Sequence, residues 1–351
     1  CVLDASPDAP CADICQEFHQ GDLLDFETVY NFGKKVDLLT IEIENVNIDA
    51  LDRLEKEGHT IYPKPKDIRI IQNKASQKTF YKDNDIPTAD FYHYAYKEEL
   101  IHAYHNHIID FPFVWKATRF GYDGNGVKVV RNYTDLENLP TVECIVEELI
   151  PFKNELAVIV ARNKNGDLKT YPVVEMEFHP EANQVEYVIC PARISAEVAI
   201  KARNVALKIA DTFDFIGLLA VEMFQTSSDE ILVNEVAPRT HNSGHYSIEA
   251  SNTNQFEQHL RSILNLPLGN TESKVAGVMV NLVGAEGFTG NVVYENLEEL
   301  LKIGGVTPHI YGKKITKPFR KMGHVTIVDK DINKARELAQ KVKETIRVIT
   351  K

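Results

Sequence analysis

Residues 234–246 read NEVAPRTHNSGHY and hold one acid, one arginine, two histidines and two asparagines. They follow the apolar run ILV directly. A polar loop after a strand is the plain reading. The chemical reading is a site that handles an anion and a metal ion together, since a carboxylate ligates cations and an arginine grips anions.

A second acid lies close upstream. Glu222 and Glu235 sit in apolar runs on either side of TSSD, residues 226–229, which predicts a hairpin. If Gln225 pairs with Glu230, Glu222 faces Val233 and Glu235 lies two residues further on the same face. Diagonal neighbours of this kind are roughly 7 Å apart, within reach of one cation. Unpaired carboxylates are costly to bury, so the face is either open to water or neutralised by a cation. Oxygen-only ligands favour Mg²⁺, often completed by a phosphate.

Two further stretches carry chemistry. KATRFGYDGNGVKVV, residues 116–130, places Lys116 before a loop with Gly121, Gly124 and Gly126. Glycines let backbone N–H groups approach phosphate oxygens, and such a hairpin could close over a nucleotide. Any glycine turn between strands looks similar, and neither a GK[ST] P-loop nor a strand–GxGxxG–helix fingerprint is present. In VEELIPFKNELAVIV, residues 146–160, a strand kinks at Pro151 and another begins near Glu155. Backbone exposed at such a kink can pair with an adenine edge, and Glu155 could accept both ribose hydroxyls.

The elements that must position these groups follow from the pattern. The chain has 351 residues, 44% hydrophobic and 26% charged, enough for two to three domains of roughly 150 residues each. A formal charge of −12 and a pI near 5.5 argue against nucleic acid or a membrane surface as partner. No apolar run approaches the roughly 18 residues of a membrane span. Five scattered cysteines form no disulfide framework, which points to a reducing, cytoplasmic setting. Cys11, Cys15 and His19 would share one face if helical; structural thiols are the simpler reading, because no fourth ligand is in view. His93, His102, His105 and His107 fall around an amphipathic helix, EELIHAYHNHI, on its wet face.

Strands VDLLTIEIEN and TIYP flank a helix, DALDRLEKEG, with Gly58 past its end, so residues 1–70 read as a parallel α/β unit bounded by PKPK. The chain opens within an apparent strand, CVLD, and we expect an upstream strand–loop–helix. Two helical stretches follow, and from residue 111 the pattern turns to short strands. Val198, Ala202, Val205, Ile209 and Phe213 mark a long helix that Ser195 caps. The tail gives strands AGVMVNLVG and GHVTIVD, then a helix carrying Ala335, Leu338, Val342 and Ile346.

A lysine before a glycine hairpin, an acid-bearing kink and a late glutamate pair, in that order, resemble the ATP-grasp enzymes. GYDGNG, NEVAPRTHNSGHY, FEQHLRSILNLPLG and YGK followed by RKMGHV narrow the resemblance to the N5-carboxyaminoimidazole ribonucleotide synthetases, over essentially the whole chain. The resemblance implies an α/β chain with an ATP-grasp fold: an N-terminal parallel α/β domain (1–70), the nucleotide-binding domain (71–268) and a small β-rich C-terminal domain (269–351). It implies that ATP phosphorylates bicarbonate to carboxyphosphate, which carboxylates 5-aminoimidazole ribonucleotide, with Mg²⁺ as cofactor and a homodimer as assembly.

Residue by residue, the resemblance gives Lys116 and Lys74 to the ATP phosphates, Lys74 standing where many members have arginine. The loop Gly121, Tyr122, Asp123, Gly124, Asn125 and Gly126 covers the nucleotide, with Tyr122 and Asp123 also over the acceptor. Glu147, Glu148, Leu149 and Ile150 match the adenine hinge, Glu155 the ribose ligand and His179 a nucleotide contact, although EMEFHP departs from the family's usual spelling. Glu222 and Glu235 match the metal ligands with Asn234 beside them, and Arg239, His241 and Asn242 the bicarbonate and acceptor site. Glu42, Lys313 and Arg320 match contacts to the ribonucleotide, the last two to its phosphate. The resemblance implies a GGGQLG-like segment at the start, and because the sequence opens just after it we expect that segment upstream. Two alternatives stand: the formate-using glycinamide ribonucleotide transformylase, which shares the glutamate pair and the Lys/Arg grip, and a non-catalytic nucleotide-binding protein on the same fold.

Overall fold

The computed structural model describes residues 1–119, 126–179 and 184–351. Residues 1–72 give β1 (Val2–Asp4), β2 (Phe18–Gln20), α1 (Phe26–Gly33), β3 (Leu38–Leu39), α2 (Ile48–Lys56), β4 (Thr60–Ile61) and α3 (Pro65–Ile71). The strands form two short parallel pairs, β1 with β2 and β3 with β4. Asn47 caps α2 by accepting the Ala50 N–H, and Gly58 follows the helix at φ 94°, a left-handed position that suits glycine. Leu51 and Leu54 of α2 pack with Val29, Leu39, Ile61 and Ile68. The long strand expected at VDLLTIEIEN pairs only at Leu38–Leu39; beyond it the chain leaves the ladder and carries Glu42 and Glu44 away from the sheet. Cys11 and Cys15 lie in turns and His19 in β2, so the helical face considered for them does not form.

Next come α4 (Lys74–Asp83), β5 (Phe91–Tyr94), α5 (Lys97–His105), β6 (Phe113–Ala117), β7 (Val127–Val130), α6 (Tyr133–Glu137) and β8 (Cys144–Glu148). These strands make an antiparallel sheet in the order β5-β8-β6-β7, over a core of Leu100, Phe113, Trp115, Leu136 and Val146. His93, His102, His105 and His107 stay exposed.

The remainder supplies β9 (Phe152–Arg162), β10 (Leu168–Thr170), β11 (Val174–Phe178), β12 (Val185–Cys190), α7 (Ala196–Thr212), β13 (Gly217–Thr226), β14 (Ile231–Ala237), a single 3₁₀ turn (Asn242–Gly244), α8 (Ser247–Ala250) and α9 (Gln255–Ile263). It ends with β15 (Ala276–Val283), β16 (Gly290–Glu295), α10 (Leu297–Leu300), β17 (Val306–Ile310), β18 (Ile315–Thr316), β19 (Lys321–Asp329), α11 (Ile332–Thr345) and β20 (Arg347–Thr350). Among the described residues, nine strands join in one sheet, β14-β13-β9-β11-β12-β15-β19-β17 with β10 beside β9. Ser195 caps α7 by accepting the Val198 N–H, and Val198, Ala202 and Ile209 bury against β9, β13 and β14. Ala335, Ala339 and Val342 of α11 cover β15 and β19 in the same way. The strand β12, which the sequence pass leaves out, joins the two halves of this sheet. Among the described residues no helix is long and apolar enough to cross a membrane.

Candidate functional site

The hairpin β13–β14 forms with a register different from the one expected. Gln225 pairs with Ile231 and Met223 with Val233, but Glu222 stands directly opposite Glu235. Asn234 is the extra residue of a β-bulge. The acids are therefore direct cross-strand neighbours, roughly 5 Å apart at Cβ instead of 7. The bulge also turns Asn234 and Glu235 to the same task, since both meet lysines of the facing elements.

Those lysines come from two places. Lys74 opens α4, whose cap Asn73 accepts the Ser76 N–H, and the Lys74 N–H is donated to Thr118 O at 2.8 Å. Its ammonium pairs with Glu235 Oε2. Lys116, on β6, donates to Asn234 Oδ1 at 2.8 Å and pairs with Glu147 Oε2 at 2.8 Å. Burial opposes the charge on Glu147, yet Lys116 and Lys78 overcome it and hold the carboxyl below its ordinary value. Like charges directly opposite one another repel. Lys74 resolves this by holding the Glu235 carboxyl low, while burial and the Glu235 charge push Glu222 up. The pair thus favours one proton, on Glu222.

The loop after β14 brings Arg239, His241 and Asn242 to the same cleft, of about 660 Å³. Arg239 Nε stands 2.9 Å from Glu44 Oε1, so the N-terminal segment anchors its guanidinium. His241 Nε2 faces Glu222 Oε1 at 3.4 Å. The Ser243 backbone N–H is donated to His241 Nδ1 at 3.3 Å, which leaves the ring proton on Nε2, toward Glu222. Burial, then Arg239, lowers the His241 ring to about 3, so it is neutral at ordinary pH. Asn242 exchanges hydrogen bonds with Asn281 at 2.9 and 3.0 Å, which fixes its amide and leaves one donor and one acceptor position for a ligand. Buried Gln255 clamps the loop by accepting the His241 N–H and donating to His241 O, each at 2.9 Å. His245, which has no chemical role in the sequence reading, accepts from the same amide at 2.9 Å and is neutral, lowered to about 4 by burial first.

The other expected residues lie outside the lining of this cleft. Glu155 lies within β9 and not at its start; burial pushes its carboxyl up to about 7 against the pull of Lys116. Glu147 and Glu148 close β8, with Leu149 and Ile150 leading to the kink, and only the Glu147 side chain turns inward. His179 follows β11, its ring edge-on to Phe319. Glu42 is recessed enough that desolvation raises its carboxyl, against Arg239 and Lys313. Lys313 donates to Lys321 O at 2.9 Å and Arg320 to Ile315 O at 2.5 Å. Gly126 accepts the Ala117 N–H at 2.9 Å and closes β6 onto β7. Gly121, Tyr122, Asp123, Gly124 and Asn125 lie outside the described residues.

Several lining residues escape the sequence reading: Glu44, Gln72, Gln77, Arg119, Gln184 and Lys321. Glu44 had a signal, since it alternates with Glu42 in IEIEN. The described residues contain no group of three or more His, Cys, Asp or Glu that could hold a metal alone. Two facing carboxylates nevertheless fit Mg²⁺, which commonly takes one or two protein carboxylates and fills its remaining positions with water and phosphate.

Comparison with known proteins bears on the chain's family. Residues 1–72 match the ribonucleotide synthetase preATP-grasp domain, 79–256 the ATP-grasp domain and 277–338 the phosphoribosylaminoimidazole carboxylase C-terminal domain. The N5-carboxyaminoimidazole ribonucleotide synthase of Bacillus subtilis is 37% identical over 332 residues, 93% of this chain and 84% of its own. The crystal structure of N5-carboxyaminoimidazole ribonucleotide synthetase from Thermotoga maritima superposes with a TM-score of 0.91 at 41% identity, covering 99% of this chain and 92% of that one. The Aspergillus clavatus synthase in complex with ADP and 5-aminoimidazole ribonucleotide gives a TM-score of 0.88 at 31% identity, covering 98% and 90%.

Proposed function

Because the chain belongs to the N5-carboxyaminoimidazole ribonucleotide synthetase family of ATP-grasp ligases, we propose that this cleft joins ATP, bicarbonate and 5-aminoimidazole ribonucleotide through carboxyphosphate. The activity is ATP-dependent carboxylation of 5-aminoimidazole ribonucleotide in purine biosynthesis. The observation that carries the residue-level account is the meeting of Lys74, Lys116, Asn234 and the Glu222–Glu235 pair, drawn from four elements.

Adenine lies along the backbone of the hinge Glu147–Ile150, apart from the Glu147 carboxylate that meets Lys78 and Lys116, and Glu155 accepts the ribose hydroxyls. Lys74 and Lys116 contact the phosphates, and His179 and the loop from Gly121 to Gly126 cover them. Phosphoryl transfer needs alignment and charge neutralisation more than covalent help, and the two lysines provide both. Arg239 holds the bicarbonate-derived anion, with its charge paired to Glu44. Neutral His241, with its proton on Nε2, and Asn242 stand where the carboxyl donor meets the acceptor amine. Glu42, Lys313, Arg320, Tyr122 and Asp123 hold the ribonucleotide. Glu222 and Glu235 would hold Mg²⁺, which supplies further charge neutralisation at the phosphates.

A cytoplasmic homodimer belongs to the same reading. Five free cysteines, and the exposed Phe256 and Leu260 of α9 with Leu264 just past its end, support it.

Phosphate release assayed with ATP tests the proposal. We expect it to require bicarbonate and 5-aminoimidazole ribonucleotide together. The Glu235→Gln variant should keep its melting temperature within a few degrees and lose about 10²–10³ in turnover, the size of losing one fixed charge at a reacting centre. Release that needed formate and glycinamide ribonucleotide, and ignored bicarbonate, would overturn it.

A further inference from the structure

We infer that Lys78 is a positioning residue for nucleotide binding: it shares the Glu147 carboxylate with Lys116 and so keeps Lys116 available to the ATP phosphates. Lys78 lies one helical turn after Lys74 on α4 and has no part in the site as the family resemblance draws it. Its side chain is 3% exposed, among the most enclosed charges in the protein. An ammonium so enclosed is costly unless it is fully engaged. Three partners engage it. Its Nζ donates to Thr88 Oγ1 at 2.6 Å and to Val233 O at 3.3 Å, and stands 3.2 Å from Glu147 Oε1 as an ion contact poorly aligned for a hydrogen bond.

Each partner leads to the nucleotide site. Val233 precedes Asn234, which takes a hydrogen bond from Lys116. Thr88 Oγ1 also donates to Val233 O at 2.7 Å, and the Val233 N–H is donated to Pro87 O at 2.8 Å. Lys78 therefore sits where the segment leading into β5 meets the edge strand β14. Glu147 carries its other oxygen to Lys116 at 2.8 Å.

The charge count gives the consequence. Lys78, Glu147 and Lys116 together carry one net positive charge. A lysine has three donors, and two of those on Lys116 are committed to Asn234 and Glu147, which leaves one for a phosphate oxygen. Without Lys78, Glu147 would have Lys116 as its single counter-ion. The trio would be neutral, and Lys116 would be drawn toward the carboxylate.

The inference rests on the assignment of Lys116 to the ATP phosphates, and the experiment separates the two. ADP affinity by calorimetry, the KM for ATP and the melting temperature are measured for Lys78→Met, Lys116→Met and the double variant Lys78→Met/Glu147→Gln. Losing a contact to a charged group predicts an ADP affinity about tenfold weaker in K78M, with a matching rise in KM and a smaller fall in kcat. The double variant restores the net charge and should recover ADP affinity to within about threefold. A purely structural role would lower the melting temperature in both and leave the double variant as weak as the single. That result, a double variant that does not fold, or a K78M that binds ADP as the parent does, overturns the inference. If K116M binds ADP as the parent does, the assignment of Lys116 falls instead. Should K78M alone fail to fold, the double variant against K116M still decides.

Discussion

Single residues in this protein show how far burial can overrule local preference. Asp67 sits in the first turn of α3, where a helix N-terminus favours a negative charge. It is nevertheless 1% exposed, and its Oδ2 has no hydrogen-bond partner among the described residues. Burial pushes its carboxyl up to about 7, against the pull of Lys66 and Lys64. Because the folded value lies above the unfolded one, the folded state binds more protons between about pH 4 and 7, and stability falls as pH rises through that window. Asp67→Asn removes the cost. Its unfolding free energy from denaturant titration should match the parent near pH 4 and exceed it above pH 7, by up to about 4 kcal/mol. Equal slopes with pH for the two proteins would contradict this origin. The same scale explains what the sequence hides. Glu42 and Glu44 are equivalent in IEIEN, and only the path of the chain after β3 shows that Glu44 anchors Arg239. Lys78 follows Lys74 by one turn, but spacing alone does not tell a buried counter-ion from a solvated one.

Elements carry the site through two irregularities. The helices α2, α4 and α7 and the hairpin β13–β14 were legible because their apolar periods and caps are strong. The bulge at Asn234 was not, since alternation is all a strand pattern offers and a bulge breaks it by one residue. The 3₁₀ turn after His241 was also hidden, because its cause is long-range. Gly244 lies where a Cβ would come within 2.3 Å of Ile159 Cδ1 and 2.4 Å of Gln255 Oε1. The loop thus passes tightly between β9 and α9, which is how Gln255 reaches both His241 and His245. Gly244→Ala must move one of these neighbours. Overpacking of this kind costs about 1–3 kcal/mol, so the melting temperature should fall by several degrees. Because the displaced clamp orients His241, turnover should fall more than ADP affinity does. An alanine variant with parental turnover would show that the clamp does not orient the ring.

At the scale of the whole molecule, three segments are tied by buried neutral imidazoles. His259 of α9 meets Thr40 Oγ1 of the N-terminal segment at 3.0 Å. His324 of β19 stacks between His245, from the site loop, and His309 of β17, with ring centroids 4.7 and 4.4 Å apart, and its Nδ1 meets the Tyr311 hydroxyl at 3.0 Å. His309 is in turn paired with Glu249 at 2.8 Å. None of this was readable in the sequence, where these histidines are tens of residues apart and share no motif. Burial lowers all three rings, His245 and His259 to about 4 and His324 to about 2. Lys321, His309 and Arg239 lower His245 further, and His245 and His309 lower His324 further. Here the folded values lie below the unfolded one of about 6.5, so the unfolded chain takes up protons first. Their contribution is complete above pH 6.5 and is lost as pH falls toward 4. Asp67 works in the opposite sense, so the histidine part is isolated by substitution. In urea titrations at pH 7.5 and 5, His259→Gln and His324→Gln should each lose less stability between the two pH values than the parent does. The two substitutions report on different junctions and should add. Parental pH dependence in both variants would place the acid sensitivity of the molecule elsewhere.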